Sequence, residues 1–416
     1  MPEQSGSRFA PEPARPCRIE VAGWYVGAAG LALGHTLAAQ LVLLCCAVYR
    51  FLADRGSRRV CLSQSTAALL ALAAWMLITA SFARKPANAF GSTLGAMLTG
   101  WLILGATQKA AASGAGARLA TVFLAAASAG ALYALAGFGM FVARRGGTPR
   151  AQLPFVGCNT AGTVMAIATI VAIGLMVRAR RTPQRLASAA CAALAFAALM
   201  ATQSRGALLG LAAGLAVLIV ALLYRRGRRV AGPILAVAAL ALLLVALGLG
   251  YPPIRARYAT ILNPAANQDR LEIWRTALAI IVDHPVVGVG VNNFREVYAA
   301  YPHARNPVQD QPFAHNVFLE FGAATGVPGL VLVGWVIAVG ALNGFRALKS
   351  GGGGTQGAAP VALASFVALL VHLQFDLSIY SVDMLPLFFV PYGALAWLEE
   401  RARGRDKAAG RMRLAP

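Results

Sequence analysis

Residues 312–330 read Pro-Phe-Ala-His-Asn-Val-Phe-Leu-Glu-Phe-Gly-Ala-Ala-Thr-Gly-Val-Pro-Gly-Leu. The stretch begins at the end of the longest polar segment and runs directly into an apolar one. As a helix it places His315, Leu319, Gly322, Gly326 and Gly329 on one face, at spacings of four, three, four and three. Asp310 is the expected N-cap and Pro312 suits the first turn, so His315 is expected one turn inside the helix. The glycines leave that face without bulk, so a neighbouring helix can approach closely. Pro328 is expected to kink it. The reading is of a histidine held at the mouth of a membrane helix by tight packing beneath.

Outward from this stretch, the 416 residues are 58% hydrophobic with a mean hydropathy of +0.64, beyond the range of soluble domains. Long apolar runs punctuated by arginine clusters make an all-α polytopic membrane protein. The first 20 residues hold four prolines and three arginines but no apolar core of a cleavable signal. Residues 21–52 suit a tight hairpin turning at Gly34-His35. Further spans are expected at about 63–83, 89–108, 119–143, 153–177, 186–202, 206–224 and 230–250. The domain plan is a cytoplasmic tail (1–20), nine spans (21–250), a large periplasmic loop (251–311), three spans (312–399) and a basic cytoplasmic tail (400–416). The Gly351–Gly354 run reads as a flexible linker. The six cysteines all fall in expected spans or cytoplasmic segments, so no disulfide is expected.

The net charge of +22 gains meaning once each charge is assigned a side. With twelve spans and both ends inside, 25 of the 37 Lys and Arg are cytoplasmic, as the positive-inside rule requires. Nucleic-acid binding does not fit, because the basic residues are scattered between spans. Twelve lie outside: Arg84, Lys85, Arg144, Arg145, Arg150, Arg205, Arg255, Arg257, Arg270, Arg275, Arg295 and Arg305. Each one alone is explained equally well by anchoring at lipid head groups. As a set, eleven of them arginine, they point to an anionic ligand bound through bidentate contacts. Between Asp54 and Asp269 there is no Asp or Glu, and no D-x-D or H-E-x-x-H occurs anywhere. Guanidinium groups, rather than a metal ion, are therefore expected to meet the ligand's charge.

Within the polar segment, Gln268–Val282 has helical periodicity, with Leu271, Trp274, Leu278 and Ile281 as its apolar stripe. Arg270 and Arg275 belong to this helix, which either closes a polar chamber or lies at the membrane interface. His284-Pro285 is expected to end it and Gly288-Val-Gly290 to turn the chain. Arg205, in Gln203-Ser204-Arg205-Gly206, reads as an interfacial anchor or as a phosphate ligand on a tight turn. Arg144, Arg145 and Arg150 share another outer loop. His35 and His372 lie in or near spans and read as packing residues. His315 combines an outer position with a helix-held one, and an ordinary pKa of about 6.5 suits a general base. The bland alternative is a hydrogen-bonded histidine at a helix mouth. Asp376, near another span's outer end, is a candidate to orient it.

His315-Asn316, nine residues, then Gly326-x-x-Gly329 resembles the signature of the bacterial O-antigen ligases, in a superfamily shared with O-antigen polymerases and protein O-oligosaccharyltransferases. Ser204-Arg205-Gly206, Arg270-x-x-x-Trp274 and Asp283-His-Pro-x-x-Gly288-x-Gly290 resemble the superfamily in the same order. The resemblance covers roughly residues 200–390 and the twelve-span layout. It implies a glycosyltransferase of the GT-C class, without metal or cofactor, in a Gram-negative inner membrane. The implied donor is an O-antigen glycan on undecaprenyl diphosphate, and the implied acceptor a sugar hydroxyl of lipid A–core, joined with inversion on the periplasmic face. Carried over by position, His315 is the base, and Arg205 and Arg270 bind the diphosphate. Arg144, Arg145 and Arg275 are further candidates for that contact, and Asn316, Gly326, Gly329 and Asp376 for support. A polymerase shares the donor but extends another lipid-linked glycan. A transporter of an anionic lipid-linked glycan is the rival from another class, although no inverted repeat is evident.

Overall fold

The computed structural model describes residues 16–53, 63–145, 149–226, 232, 245–246, 249–261, 263, 265–302, 312–350, 357–376 and 379–413. They form helices, with one isolated β-bridge between Leu153 and Val156. The first half comprises α1 (Arg18–Ala32), α2 (Thr36–Ala53), α3 (Gln64–Ala80), α4 (Pro86–Ala112), α5 (Gly116–Arg145), α6 (Cys158–Arg178), α7 (Thr182–Thr202) and α8 (Arg205–Arg226). Then come the short α9 (Pro252–Ala259), a 3-10 turn (Ala265–Asn267), α10 (Gln268–Asp283) and α11 (Phe294–Tyr298). The chain closes with α12 (Val317–Lys349), α13 (Ala358–His372) and α14 (Met384–Arg413).

Six of these helices are long and apolar enough to cross a bilayer: α4, α5, α6, α7, α8 and α12. Shorter apolar helices occur at Leu37–Cys46, Gln64–Ala80 and Ala358–His372. The expected span at 230–250 falls largely outside the described residues, as do the Gly351–Gly354 linker, His303 and Asp310. The 21–52 segment is two helices that reverse at Gly34 and His35. The last helix continues through most of the basic tail to Arg413.

Helix α6 is the centre of the bundle: 72% of its most apolar window is buried, against 28% for α4. It packs between α7, α8 and α13. Helices α8 and α13 approach closely, and the sequence shows why. Gly206, Gly210 and Gly214 recur every four residues on one face of α8. A Cβ on Gly210 would lie 2.4 Å from the Ala368 carbonyl oxygen, and one on Gly214 2.8 Å from that of Ala364. Small residues let backbones meet where the solvent is hydrocarbon and apolar side chains gain little by hiding from it.

Helix α12 differs from its expected form in two ways. It starts at Val317, not near Pro312, because the Asn316 side chain accepts from the amides of Phe318 and Leu319 and so acts as the N-cap. His315 is therefore outside the helix, in a left-handed conformation (φ 52°). The break falls at Gly326 (φ 71°, ψ −176°), two residues before Pro328. Proline disfavours helical geometry upstream of itself, and here glycine absorbs the bend.

Four backbone groups at that break find partners outside the helix. The Ala323 and Ala324 carbonyls accept from the amides of Val289 and Gly290, at 2.9 and 2.8 Å. Thr325 O accepts from Trp75 Nε1 at 2.8 Å, and the Val327 amide donates to Pro285 O at 2.7 Å. In lipid, such groups must be satisfied within the protein. The 283–290 and 315–329 motifs thus form one interlocked unit. A Cβ on Gly326 would lie 2.1 Å from Val286 O, so only glycine satisfies both the angle and the contact.

Helix α10 is amphipathic, but its buried face is Ile273, Thr276, Ala277 and Ile280, not the stripe expected from the sequence. Leu278 is 52% exposed. The face that wins also buries Glu272 and sets the small Thr276 and Ala277 between two isoleucines. It joins Val289, Phe294, Ala314 and Ala323 in a second core that fastens α10 to the start of α12.

Candidate active site

A cavity of about 360 Å³ opens where α6, α8 and α13 meet beneath α9 and α10. Four arginines line it: Arg150, Arg205, Arg257 and Arg270. Among the described residues no carboxylate makes an ion pair with any of them. Asn159, Asn267, Trp274, His372 and Phe375 complete the part of the wall that matters chemically.

Each arginine is placed by local structure. Arg205 opens α8 just after Gln203, whose left-handed backbone (φ 52°) ends α7. Its Nη1 donates to both oxygens of Thr260, at 3.1 Å each. Arg150 donates from Nε to Thr202 O at 3.0 Å and from Nη2 to Asn159 Oδ1 at 2.6 Å. The loop carrying it is tied down by the Ala151 amide on Ala201 O and by Gln203 on Pro149 O. Arg257 comes from α9. Arg270, Leu271 and Trp274 share one face of α10, and Arg270 donates to the Phe375 carbonyl.

Burial pulls Arg270 below the usual guanidinium value, against the carboxylate of Asp376, and the charges of Arg257 and Arg150 add to it. Arg257 is lowered by burial and then by Arg150. Four cations sharing one partly dry space is unfavourable, so the cavity is electrostatically primed for an anion.

Asp376 stands behind this wall and is 4% exposed. Its Oδ2 is 2.9 Å from His372 Nε2, and its Oδ1 is 4.0 Å from His315 Nδ1. Burial alone would raise its pKa; the hydrogen bond from His372 and the charges of His372, His315 and Arg270 bring it below the usual carboxylate value. His315 is not part of the cavity wall. Burial lowers its pKa first, Arg270 lowers it further, and Asp376 only partly opposes this. Its imidazole is thus neutral near pH 7, with a basic nitrogen available.

The histidine is held by its flanks. Upstream, the Ala314 amide donates to Glu320 Oε2 at 2.6 Å, and Tyr380 donates to Oε1 of the same carboxylate. Downstream, the Val317 amide donates to Leu373 O at 2.9 Å, and Asn316 Nδ2 to Gln374 O at 3.4 Å. These contacts fix a backbone angle that a free histidine rarely adopts.

Of the residues singled out in the sequence, Arg205 and Arg270 line the cavity, while His315 and Asp376 stand together beside it. Asn316 caps α12, Gly326 breaks it, and Gly329 packs close to Trp75. Arg144 and Arg275 are exposed and away from the cavity; the side chain of Arg145 lies outside the described residues. Arg275 follows Arg270 by five positions, which turns it to another helix face. Arg150 and Arg257 are brought in by the fold. In the sequence they differ in no respect from other outer arginines. His372 corrects the expectation of a packing role, since it lines the cavity and bonds Asp376.

Residues 190–334 match the family model of the O-antigen ligases. This part of the chain is similar to the O-antigen ligases. It runs from within α7 into α12 and contains Arg205, Arg257, Arg270, His315 and the helix break. Arg150 precedes the matched segment, and His372 and Asp376 follow it, so the cavity is completed by residues from both sides. No curated protein matches the chain.

Proposed function

We propose that the chain is an O-antigen ligase that transfers a glycan from undecaprenyl diphosphate to a sugar hydroxyl of lipid A–core. The observation that carries this reading is the cavity with four arginines and, among the described residues, no carboxylate paired with them, backed by Asp376 and His315. Undecaprenyl diphosphate is a good leaving group once its developing charge is neutralised, and guanidinium groups in a low-dielectric site do that without reorganisation. Arg205, Arg270, Arg257 and Arg150 hold the diphosphate. His315 takes the proton of the acceptor hydroxyl as its oxygen attacks the anomeric carbon. The C–O bond to the diphosphate breaks on the opposite side, so one displacement inverts the configuration. Asp376 holds the imidazole and stabilises the imidazolium that forms.

In this reading the chain has the GT-C layout of about twelve spans in a Gram-negative inner membrane, both ends cytoplasmic and the cavity periplasmic. The family match over residues 190–334 and the six helices long enough to cross a bilayer support it. The test is reconstitution in detergent: purified protein, undecaprenyl-diphosphate-linked glycan and lipid A–core, with EDTA. A lipopolysaccharide ladder that is lost in His315→Ala supports the ligase. Lengthening of glycan on the lipid carrier alone identifies a polymerase, and no covalent product, even with Mg²⁺, points to a transporter.

A further inference from the structure

The cavity holds one titratable group for which the mechanism has no use. His372 ends α13, its side chain is 2% exposed, and it lines the cavity beside Arg205. Its Nε2 faces Asp376 Oδ2 at 2.9 Å, and its Nδ1 is buried with no hydrogen-bond partner among the described residues. A buried, unpartnered polar atom in a ligand cavity calls for a ligand atom. Gly206 keeps α8 off this ring: a Cβ there would lie 3.2 Å from Nδ1.

The hydrogen bond fixes the tautomer. An ionised carboxylate only accepts, so Nε2 carries hydrogen and a neutral ring presents a bare lone pair at Nδ1. That lone pair cannot bond an unprotonated phosphate oxygen. The charged groups around the ring are Arg205 on α8, Arg270 on α10, Arg257 on α9, Arg150 on the loop before α6, and Asp376, with His315 across the carboxylate. In the empty cavity the four guanidinium groups set a positive field. A bound diphosphate reverses that field, while Asp376 is already in place to stabilise an imidazolium.

We propose that His372 is a fifth ligand of the bound diphosphate, and that donor binding takes up one proton, shared between Nδ1 and a phosphate oxygen. Because Asp376 also faces His315, the same carboxylate ties leaving-group occupancy to the orientation of the base. The inference rests on the cavity being the diphosphate site, and adds to that reading a residue and a proton.

The experiment is calorimetric titration of the full-length protein in detergent with farnesyl diphosphate. It is run in two phosphate-free buffers of different ionisation enthalpy, from about pH 6 to about pH 8. The wild type is expected to take up about one proton per ligand over part of this range, with affinity falling as pH rises. His372→Gln keeps an N–H toward Asp376, so the wall stays paired. It is expected to lose the uptake, bind about tenfold more weakly at the acidic end and show a flat pH dependence. Asp376→Asn, which removes the charge behind the ring, is expected to reduce the uptake independently. Arg205→Gln should weaken binding at every pH. Equal affinity and equal proton uptake in wild type and His372→Gln, with Arg205→Gln impaired, overturns this inference alone. Failure of the wild type to bind farnesyl diphosphate overturns both it and the diphosphate reading.

Discussion

His315 and Arg270 illustrate how position sets chemistry. A histidine that is half buried and close to a guanidinium has its basic form favoured, and the sign of the pH effect follows. With the folded pKa below the ordinary 6.5, the fold excludes the proton that the unfolded chain binds. Stability linked to this group is complete above pH 6.5 and falls as the pH drops below it. The rate should follow the same side: the acidic limb of kcat/KM, which reports the free enzyme, is expected below pH 6.5. A limb centred above 6.5 in steady-state assays contradicts the assignment. His315→Ala is expected to reduce kcat by about 10²–10⁴-fold, with donor affinity nearly unchanged. For the arginines, Arg257→Gln should weaken diphosphate binding about tenfold, and Arg275→Gln should leave it unchanged. Titration of both variants checks the cavity against the alternative that any outer arginine serves.

At the scale of elements, the interlocked pair of motifs carries the site. Gly326→Ala places a Cβ against Val286 O at a backbone angle that L residues avoid. The expected cost is at least about 2 kcal/mol, read as a lower unfolding temperature in detergent, with activity lost through displacement of His315. Gly210→Val should separate α8 from α13 and so move Arg205 away from His372, weakening donor binding without touching it directly. Much of this was legible in the sequence. The Ser204-Arg205-Gly206 and Arg270-x-x-x-Trp274 motifs both fall on the cavity wall. Three things were not legible. Asp310 and Pro312 gave a helix-start signal, and Asn316 overrode it with its own cap. The larger apolar residues of α10 marked a stripe, whereas packing chose the smaller face around Ala277. His372 ends a helix so apolar that a packing role was the natural reading, and only the fold shows Asp376 beside it.

Across the whole molecule, the division of labour is between a bundle and a cap. The bundle supplies Arg150, Arg205 and His372 at helix mouths, and the cap supplies Arg257 and Arg270. The second core, from Ile273 to Ala323, holds the cap in register with His315. Composition and charge placement gave an outer surface rich in arginine, but the linear order gives no distances. Arg150 and Arg257 therefore could not be separated from Arg144 and Arg275 before folding. The central claim is that this cavity is where a lipid diphosphate binds. The most direct measurement is a density map of the protein with undecaprenyl diphosphate bound. Both phosphates are expected among Arg150, Arg205, Arg257 and Arg270, with an oxygen on His372 Nδ1. A diphosphate seated instead beside Arg144 or Arg275, with the cavity empty, contradicts it.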